Sequence, residues 1–419
     1  MTTVRRGAAA FAAAAVLCTG FAPVASAAPS PSTSTTPAPP AVPAGLYGTK
    51  DPTYDGVWRQ SLAFIAQTTS NMQPADEAVA WLTKQQCATG AFASFRPDPA
   101  KACDQATMLD TNATAVAVQA LTGVKRASTD PEPLAKAAEA GASWLKSVQN
   151  KDGGWGYNPG SPSDANSTSI VLSALTALGQ KPGEVRSAEG KTPYDALLGL
   201  AVPCSAEDGP GAFAYQPDKD GKLLANADAT AAATLAGLGK GITARGVNPQ
   251  QTPTCTDSAK RTMDRAALNG ASYLATALAK TGHLNTPPMP GATDPTELPD
   301  HGNTADAVVA LAAAGATQEA AGALRWLQQN SVAWAKESGP AAYAQLILAA
   351  KAMHVDPRAF GSTDLLQELA ATGPAPKAVP SAAPQASDDD SGSFDLWWII
   401  GIGMVVGVGI GFLLSGRRK

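Results

Sequence analysis

Residues 110–121 read DTNATAVAVQAL, and this arrangement of polar residues before an Ala-rich run returns three more times in the chain. The further copies begin at Asp164 (DANSTSIVLSAL), Asn226 (NADATAAATLAGLG) and His301 (HGNTADAVVALAAAG). Asp, Asn and Thr are preferred at helix N-termini, and the Ala-rich runs behind them favour helix. Because these helices are apolar almost all round, we expect them to be buried on both sides.

A second kind of segment, amphipathic and ending at a Gly-aromatic loop, alternates with the first. The clearest copy ends at WLKSVQ, residues 144–149, and continues as NKDGGWGY. Its apolar residues recur at helical spacing, and its charged residues face water. Counting both kinds predicts six apolar helices near 54–67, 110–122, 164–178, 226–238, 301–314 and 339–353, and six amphipathic helices near 75–86, 132–149, 193–202, 258–281, 317–330 and 362–371.

This alternation predicts an all-α fold. We expect a closed (α/α)6 toroid, in which the apolar helices form an inner wall and the amphipathic helices an outer wall. An open superhelix of helix pairs is the alternative, but it does not explain why alternate helices are so uniformly apolar.

Both ends of the chain carry targeting signals. Arg5 and Arg6 precede an apolar run and Ala25-Ser26-Ala27, which predicts a signal peptide, and residues 396–414 are uncharged and long enough for a transmembrane helix. Basic residues after this helix predict a single-pass cell-membrane protein with an extracytoplasmic body and a cytoplasmic C-terminus. The predicted organisation is signal peptide 1–27, disordered Pro/Ser/Thr-rich lead 28–45, toroid 46–372, disordered stalk 373–395, transmembrane helix 396–414 and tail 415–419.

The predicted transmembrane helix has a face of small residues at Gly403, Gly407 and Gly411. Such a face lets a second helix approach closely, so we expect a membrane transporter as partner or self-association. The stretch Leu369–Gly373 resembles a sortase signal, but it also fits the end of a helix, which we favour.

Charge and cysteine content exclude some classes of protein. The net charge is −4 with no long block of Lys or Arg, which excludes a nucleic-acid binder that relies on basic charge. Three isolated histidines predict no metal site. Four cysteines remain after signal removal, an even number in an oxidising compartment, and we expect the pairs Cys87 with Cys103 and Cys204 with Cys255.

The segment Trp144-Leu145-x3-Gln149-x3-Gly153-x-Trp155 resembles the QW motif of squalene-hopene cyclases. An earlier copy, 81–92, has Phe92 for the last Trp, and the copies at Tyr273 and Trp326 are partial. The family with this repeat is the α/α toroid group: terpenoid cyclases, protein prenyltransferase β subunits, the thioester domain of complement-like proteins, and the cobalamin carriers transcobalamin and intrinsic factor. The resemblance implies prenyltransferase/squalene-oxidase-type repeats and a closed barrel over 46–372. We expect the Gln side chain to satisfy bare helix-end carbonyls, with the next aromatic over it.

The reactive groups of the well-known branches are missing. The chain has no DxDD acid motif, no Asp/Cys/His zinc set and no Gly-Cys-Gly-Glu-Gln thioester. What remains is a polar and aromatic mouth, because parallel inner helices bring their N-termini and the preceding loops to one side. The candidate ligand-binding residues are Asp110, Asn112, Asp164, Asn166, Trp155, Tyr157, Tyr215, Asp228, His301 and Asn303.

The leading prediction is therefore a non-catalytic, membrane-anchored extracytoplasmic toroid that captures a small hydrophobic ligand, such as an isoprenoid, or a protein partner. Asp110-Thr111 before an Ala-rich helix resembles the cobalamin carriers, which implies a corrinoid as one possible ligand. Three alternatives stay open: a terpenoid cyclase-like enzyme, a glycan-active enzyme with Asp164 and Asp228 as its carboxylate pair, and a purely structural or protein-binding module.

Overall fold

The computed structural model describes residues 42–250, 253–286 and 296–378. Within them the helices are α1 Gly56–Thr69, α2 Asp76–Lys84, α3 Thr111–Lys125, α4 Glu132–Ser147, α5 Ala165–Ala177, α6 Pro193–Gly199, α7 Ala227–Gly237, α8 Met263–Leu278, α9 His301–Ala314, α10 Thr317–Asn330, α11 Val332–Ser338, α12 Pro340–Ala352 and α13 Leu365–Ala370. Short 3-10 turns span Pro182–Glu184 and Pro357–Ala359. The strands are β1 Met72–Gln73, β2 Phe92–Ala93, β3 Leu109–Asp110, β4 Phe213–Pro217, β5 Leu223–Asn226, β6 Leu284–Thr286, β7 Leu298–Asp300 and β8 Lys377–Ala378.

The predominance of helix confirms the all-α prediction at the level of fold class. Helices α1, α3, α5, α7, α9 and α12, which we call the inner helices, lie within three residues of the predicted apolar segments. Most of their side chains are buried, and the core is dominated by their Ala, Val and Leu residues. A helix that is apolar all round is expected to be buried on both sides. The burial of these helices agrees with this expectation.

Side-chain caps start four of the inner helices, three of them at the predicted positions. Asp110 and Asp164 accept from the backbone N–H three residues on, at 2.8 and 2.7 Å. Asn226 and Asp300 do the same at 2.8 and 2.9 Å. In the fourth copy the cap is thus Asp300, and His301 is the first helical residue.

Short antiparallel hairpins, which the periodicity does not predict, lead into three of the capped helices. The pairing sets Phe92 opposite Asp110, Phe213 opposite Asn226 and Leu284 opposite Asp300. Each hairpin therefore places a buried apolar residue of the loop against a cap, and fixes the N-terminus of the inner helix that follows.

The inner helices pack on one another in chain order: α1 on α3, α3 on α5, α5 on α7, α7 on α9 and α9 on α12. Helix α12 also packs on α1. The amphipathic helices pack on them, with α4 on α3, α8 on α7, α10 on α9 and α13 on α12. Close approach is possible where the outer helix carries glycine, since a Cβ added at Gly141 would lie 2.6 Å from Val118.

The two ends of the described helical region meet. The backbone N–H of Gly48 donates to the carbonyl of Thr372 at 2.8 Å, and β1 pairs antiparallel with β8. The buried Tyr47 hydroxyl donates to the carbonyl of Pro374. Contacts between residues more than three hundred positions apart therefore join the start of the helical region to its end.

The Gln and Trp side chains of the QW-like segments have other hydrogen-bond partners than we expected from the sequence. Gln86 and Gln149 donate to loop carbonyls, those of Gly90 at 2.9 Å and Gly153 at 2.7 Å. It is the Trp155 indole that reaches the helix end, donating to the carbonyl of Leu145 at 2.7 Å. The Gln closes the loop, and the Trp joins the loop to the last turn of α4, where the Leu145 carbonyl also accepts from the N–H of Val148 at 3.3 Å.

Two disulfides join loops between helices. Cys87 is bonded to Cys103, and Cys204 to Cys255, the pairs expected from the sequence. Such bonds are typical of proteins that fold in an oxidising compartment.

The predicted single-pass membrane localisation is corrected. Within residues 42–250, 253–286 and 296–378, no helix has both the length and the apolar composition to cross a bilayer. The longest helices there, α4 and α8, have 16 residues, about 24 Å at 1.5 Å per residue against a hydrocarbon core of about 30 Å. The predicted signal peptide, most of the lead, the stalk beyond residue 378, the span 396–414 and its Gly403, Gly407 and Gly411 face lie outside the described residues.

Candidate functional site

A cavity of about 440 Å³ lies among the inner helices, from their N-termini to the residues that follow the C-terminal end of α7. Its volume falls in the range of about 300 to 1,000 Å³ that is usual for small-molecule sites. Helical register sorts most of its lining residues into three levels, because equivalent positions of successive inner helices contribute to each level.

The uppermost level, which we call the mouth tier, is polar. It consists of Asp110, Asn112, Asn166, Asp228 and Asn303, and three of these are the second residue of their helix. Around it stand Tyr54, Trp58, Ser94 and Tyr157, which also line the cavity. Tyr157 is held there by its backbone, whose carbonyl accepts from the N–H of Thr111 at 2.9 Å.

The next level, the acid tier, consists of Ile170, Ala232, Asp306 and Gln345, each the sixth residue of its helix. At 1.5 Å per residue it lies about 6 Å below the second residues. Gln345 donates to Oδ2 of Asp306 at 3.0 Å. A carboxyl group thus lies below the polar mouth, beside apolar side chains.

The deepest level, the apolar tier, consists of Ser173, Leu235, Val309 and Leu348, each the ninth residue of its helix. Positions six and nine share a helix face, so the two lower tiers form one continuous wall. Lys240, Gly241 and Ile242 follow the C-terminal end of α7 and line the bottom. The cavity is therefore polar at one end and mainly apolar below.

Two carboxyl groups of the cavity, those of Asp228 and Asp306, have pKa values shifted toward the protonated form. Burial raises the pKa of Asp306 to about 7, the nearby Asp228 carboxylate acts in the same direction, and the hydrogen bond from Gln345 opposes both. Burial likewise raises the pKa of Asp228, which the donated hydrogen bond from Asn166 opposes. Near neutral pH, Asp306 is able to hold a proton inside an apolar cavity, which is the condition for a general acid.

The structure brings together six of the ten predicted ligand-binding residues: Asp110, Asn112, Tyr157, Asn166, Asp228 and Asn303 all line the cavity. The other four do not. Trp155 is buried in its loop. Tyr215 lies beside Asp164. Burial of Tyr215 raises its pKa most, and the negative charge of Asp164 raises it further.

Asp164 and His301 do not line the cavity. Asp164 is fully buried as the α5 cap, so burial raises its pKa. His301 packs between Trp326 and Trp334, with ring centroids 5.1 and 5.3 Å away, and burial lowers its pKa. Because Asp164 does not line the cavity, Asp164 and Asp228 do not form the carboxylate pair that a glycan-active enzyme needs.

Sequence reasoning missed Asp306, Gln345 and Trp58. Asp306 carried a detectable signal, since the sixth position is Val116, Ile170 and Ala232 in the other capped helices and acidic only here. Gln345 and Trp58 belong to inner helices without the cap motif, so no repeat aligned them with the rest. In the described part of the chain no cluster of three or more His, Cys, Asp or Glu is placed to hold a metal ion.

No family model matches the chain. A stretch of 157 residues, 38% of the chain, is 32% identical to drimenyl diphosphate synthase from Streptomyces showdoensis. The chain spans only about a quarter of that protein, 26% of its length. This similarity supports a terpenoid cyclase-like fold for part of the chain, and it agrees with the helix-rich structure. Neither capture without catalysis nor corrinoid binding receives support from it.

Proposed function

We propose that the chain is a terpenoid cyclase-like enzyme, in which the cavity holds an isoprenoid and Asp306 donates the proton that starts its cyclisation. The observation that carries the proposal is a carboxyl group able to stay protonated near neutral pH within an apolar cavity. The partial similarity to drimenyl diphosphate synthase, a protein named for a terpenoid product, points to the same class of chemistry.

The architecture that we propose for this enzyme is the closed (α/α)6 toroid of the QW-repeat group. The packing of α12 on α1, which follows the chain-order packing of the other inner helices, supports closure. The contacts of Gly48 with Thr372 and of β1 with β8 support it as well. A closed ring of parallel inner helices gives one mouth and one interior, so a single substrate enters beside the polar tier.

The chemistry that we propose is proton transfer from Asp306 to an alkene carbon of the bound isoprenoid. The resulting cation is attacked by a second double bond of the same molecule, which closes a ring, and loss of a proton from a neighbouring carbon gives a cyclic isomer of the substrate. The rings of Tyr54, Trp58 and Tyr157 line the cavity and provide π-faces that stabilise positive charge. Asp228, on a neighbouring helix, helps to keep the proton on Asp306 until transfer.

The test is to incubate the purified full chain with squalene, farnesol and farnesyl diphosphate and to examine the extracts by gas chromatography and mass spectrometry. We expect a cyclic product from at least one of them. Asp306→Asn should lower its formation by about 100-fold or more, as expected for loss of a general acid. Asp130→Asn, on an exposed loop, should have no effect.

Two outcomes would contradict the proposal. Equal turnover by wild type and Asp306→Asn would remove Asp306 from the mechanism. Binding of an isoprenoid without any conversion would return the protein to the ligand-capture hypothesis.

A further inference from the structure

The charged groups around the cavity are almost all acidic. Asp55, Asp110, Asp228 and Asp306 line it, whereas Lys240 is the one Lys or Arg among the lining residues of the described chain. Lys240 follows the C-terminal end of α7, where helix carbonyls disfavour anions. Asp55 is paired with Arg59 at 2.8 Å, and Asp306 is able to hold its proton near neutral pH. Asp110 and Asp228 therefore remain as the lining carboxylates without a basic partner among the lining residues.

The helix N-termini at the mouth do not compensate for this excess. Bare N–H groups at a helix N-terminus attract anions, and a ring of them would suit a phosphate group. Here the caps Asp110, Asn226 and Asp300 each accept from one of those N–H groups, at 2.8 to 2.9 Å. The mouth therefore presents carboxylate oxygens where an anion-binding site would present donors.

The two buried arginines close to this end of the fold, Arg59 and Arg96, already donate hydrogen bonds to groups of the protein. Arg59 donates to Asp55 and to the carbonyls of Tyr47 and Lys50. Arg96 donates to carbonyls of the 84–101 loop region, including that of Lys84.

The mouth tier does present hydrogen-bond acceptors. The amide of Asn166 donates to Asp228, which fixes its orientation because a carboxylate can only accept. Its Oδ1, like that of Asn112, is a buried oxygen with no hydrogen-bond partner in the described chain. Neither oxygen supplies a donor, so these two side-chain oxygens do not offset the repulsion of a phosphate group by the carboxylates.

From these observations we infer that the substrate of the cavity is an uncharged isoprenoid, a hydrocarbon or an alcohol, and that isoprenoid diphosphates are excluded. The inference rests on the proposed function and narrows its substrate class. It also separates this chain from the similar drimenyl diphosphate synthase, whose named product carries a diphosphate.

The experiment compares farnesol with farnesyl diphosphate, which share one hydrocarbon chain and differ in the charge of the head. Binding to the purified full chain is followed by quenching of Trp fluorescence, since Trp58 lines the cavity. We expect farnesol to bind at least about 10-fold more tightly, because like charges at a partly buried site cost more than about 1.4 kcal/mol. Raising the salt concentration should strengthen the weak binding of the diphosphate, since salt screens repulsion.

Two variants report on the cause of this preference. The double change Asp110→Asn with Asp228→Asn removes two carboxylates but keeps amide oxygens for the α3 cap and for Asn166, and it should bring the two affinities to within about 3-fold. Ala232→Trp fills the acid tier and should abolish farnesol binding. Its control Ala333→Trp, on an exposed position of α11, should leave binding unchanged.

The results separate this inference from the proposed function. Tight farnesyl diphosphate binding that weakens with salt, together with its cyclisation, would overturn the inference and leave the enzyme proposal standing. Absence of binding by either molecule, or farnesol binding that Ala232→Trp does not affect, would overturn both.

Discussion

Asp306 lies on an inner helix that is otherwise Ala and Val around it, one turn below the mouth of the cavity. Its raised pKa comes first from burial and then from Asp228, a residue of another helix. A carboxyl group whose pKa is raised by contacts from two helices leaves no contiguous motif. The absence of DxDD, from which we predicted a non-catalytic protein, therefore does not argue against the acid that we propose. A single acidic residue in an apolar helix was the available signal.

The first residue-level prediction concerns stability. In the folded state Asp306 keeps its proton up to about pH 7, whereas in the unfolded chain it loses it near 4, so its contribution to stability falls as pH rises between these values. Asp306→Asn removes the ionisable group and keeps an acceptor for Gln345. We compare the melting temperature of the variant with that of wild type at each pH. The variant's advantage over wild type should be larger at pH 8 than at pH 5, by on the order of 5 °C. The same difference at both pH values in calorimetry would refute the raised pKa.

The second residue-level prediction concerns Gln345, which donates a hydrogen bond to Asp306 and so affects its pKa. Its hydrogen bond lowers the Asp306 pKa, so Gln345→Met should raise it. Because the acid must be protonated to react, turnover should decline with rising pH, and in this variant the decline should move to higher pH. Gln329→Met, on an exposed position of α10, is the control. A loss of activity without displacement of the pH profile would show that Gln345 only supports the fold.

At the level of elements, one threonine recurs in each capped inner helix, at Thr114, Thr168, Thr230 and Thr304. Each hydroxyl is buried and accepts from a loop N–H, that of Phe92, Trp155, Phe213 or Leu284 respectively, at 2.9 to 3.0 Å. This hydroxyl joins the Gly-aromatic loop to the inner helix that follows. The repeated Thr is therefore a structural rather than a ligand-binding feature of the cap motif.

Thr230→Val tests this role. Valine has nearly the same shape but leaves the Phe213 N–H buried without an acceptor, which should lower the free energy of unfolding by about 1 to 3 kcal/mol in urea titration. Thr230→Ser keeps the hydroxyl and should cost less than half as much. Equal losses in the two variants would mean that the methyl group, not the hydrogen bond, holds the loop.

Element positions were predictable because periodicity and caps are local properties of the sequence. The inner helices agree to within three residues, and six predicted residues do meet at the cavity. What failed depended on tertiary contacts. Asp164 is fully buried beside Tyr215, the Trp155 indole donates to the carbonyl of Leu145, and His301 packs between Trp326 and Trp334. The hairpins were missed because strands of two to five residues leave too short an alternation to detect.

At the level of the whole molecule, the start and the end of the helical region are joined by hydrogen bonds. A chain that ends at residue 371 loses the Thr372 and Pro374 carbonyls and β8, whereas a chain that ends at 378 keeps them. The Tyr47 hydroxyl and the N–H of Gly48 would lose buried partners, at about 1 to 3 kcal/mol each. We expect the shorter chain to melt at least about 5 °C below the longer one. Equal melting temperatures would show that these contacts do not stabilise the fold.

The central claim, that a proton from the protein starts the reaction, is tested most directly by carrying out the isoprenoid reaction in D2O. The account predicts that the cyclic product gains one deuterium at a carbon atom, and that Asp306→Asn forms almost none of this labelled product. A cyclic product without deuterium, or labelled product formed equally well by Asp306→Asn, would contradict it.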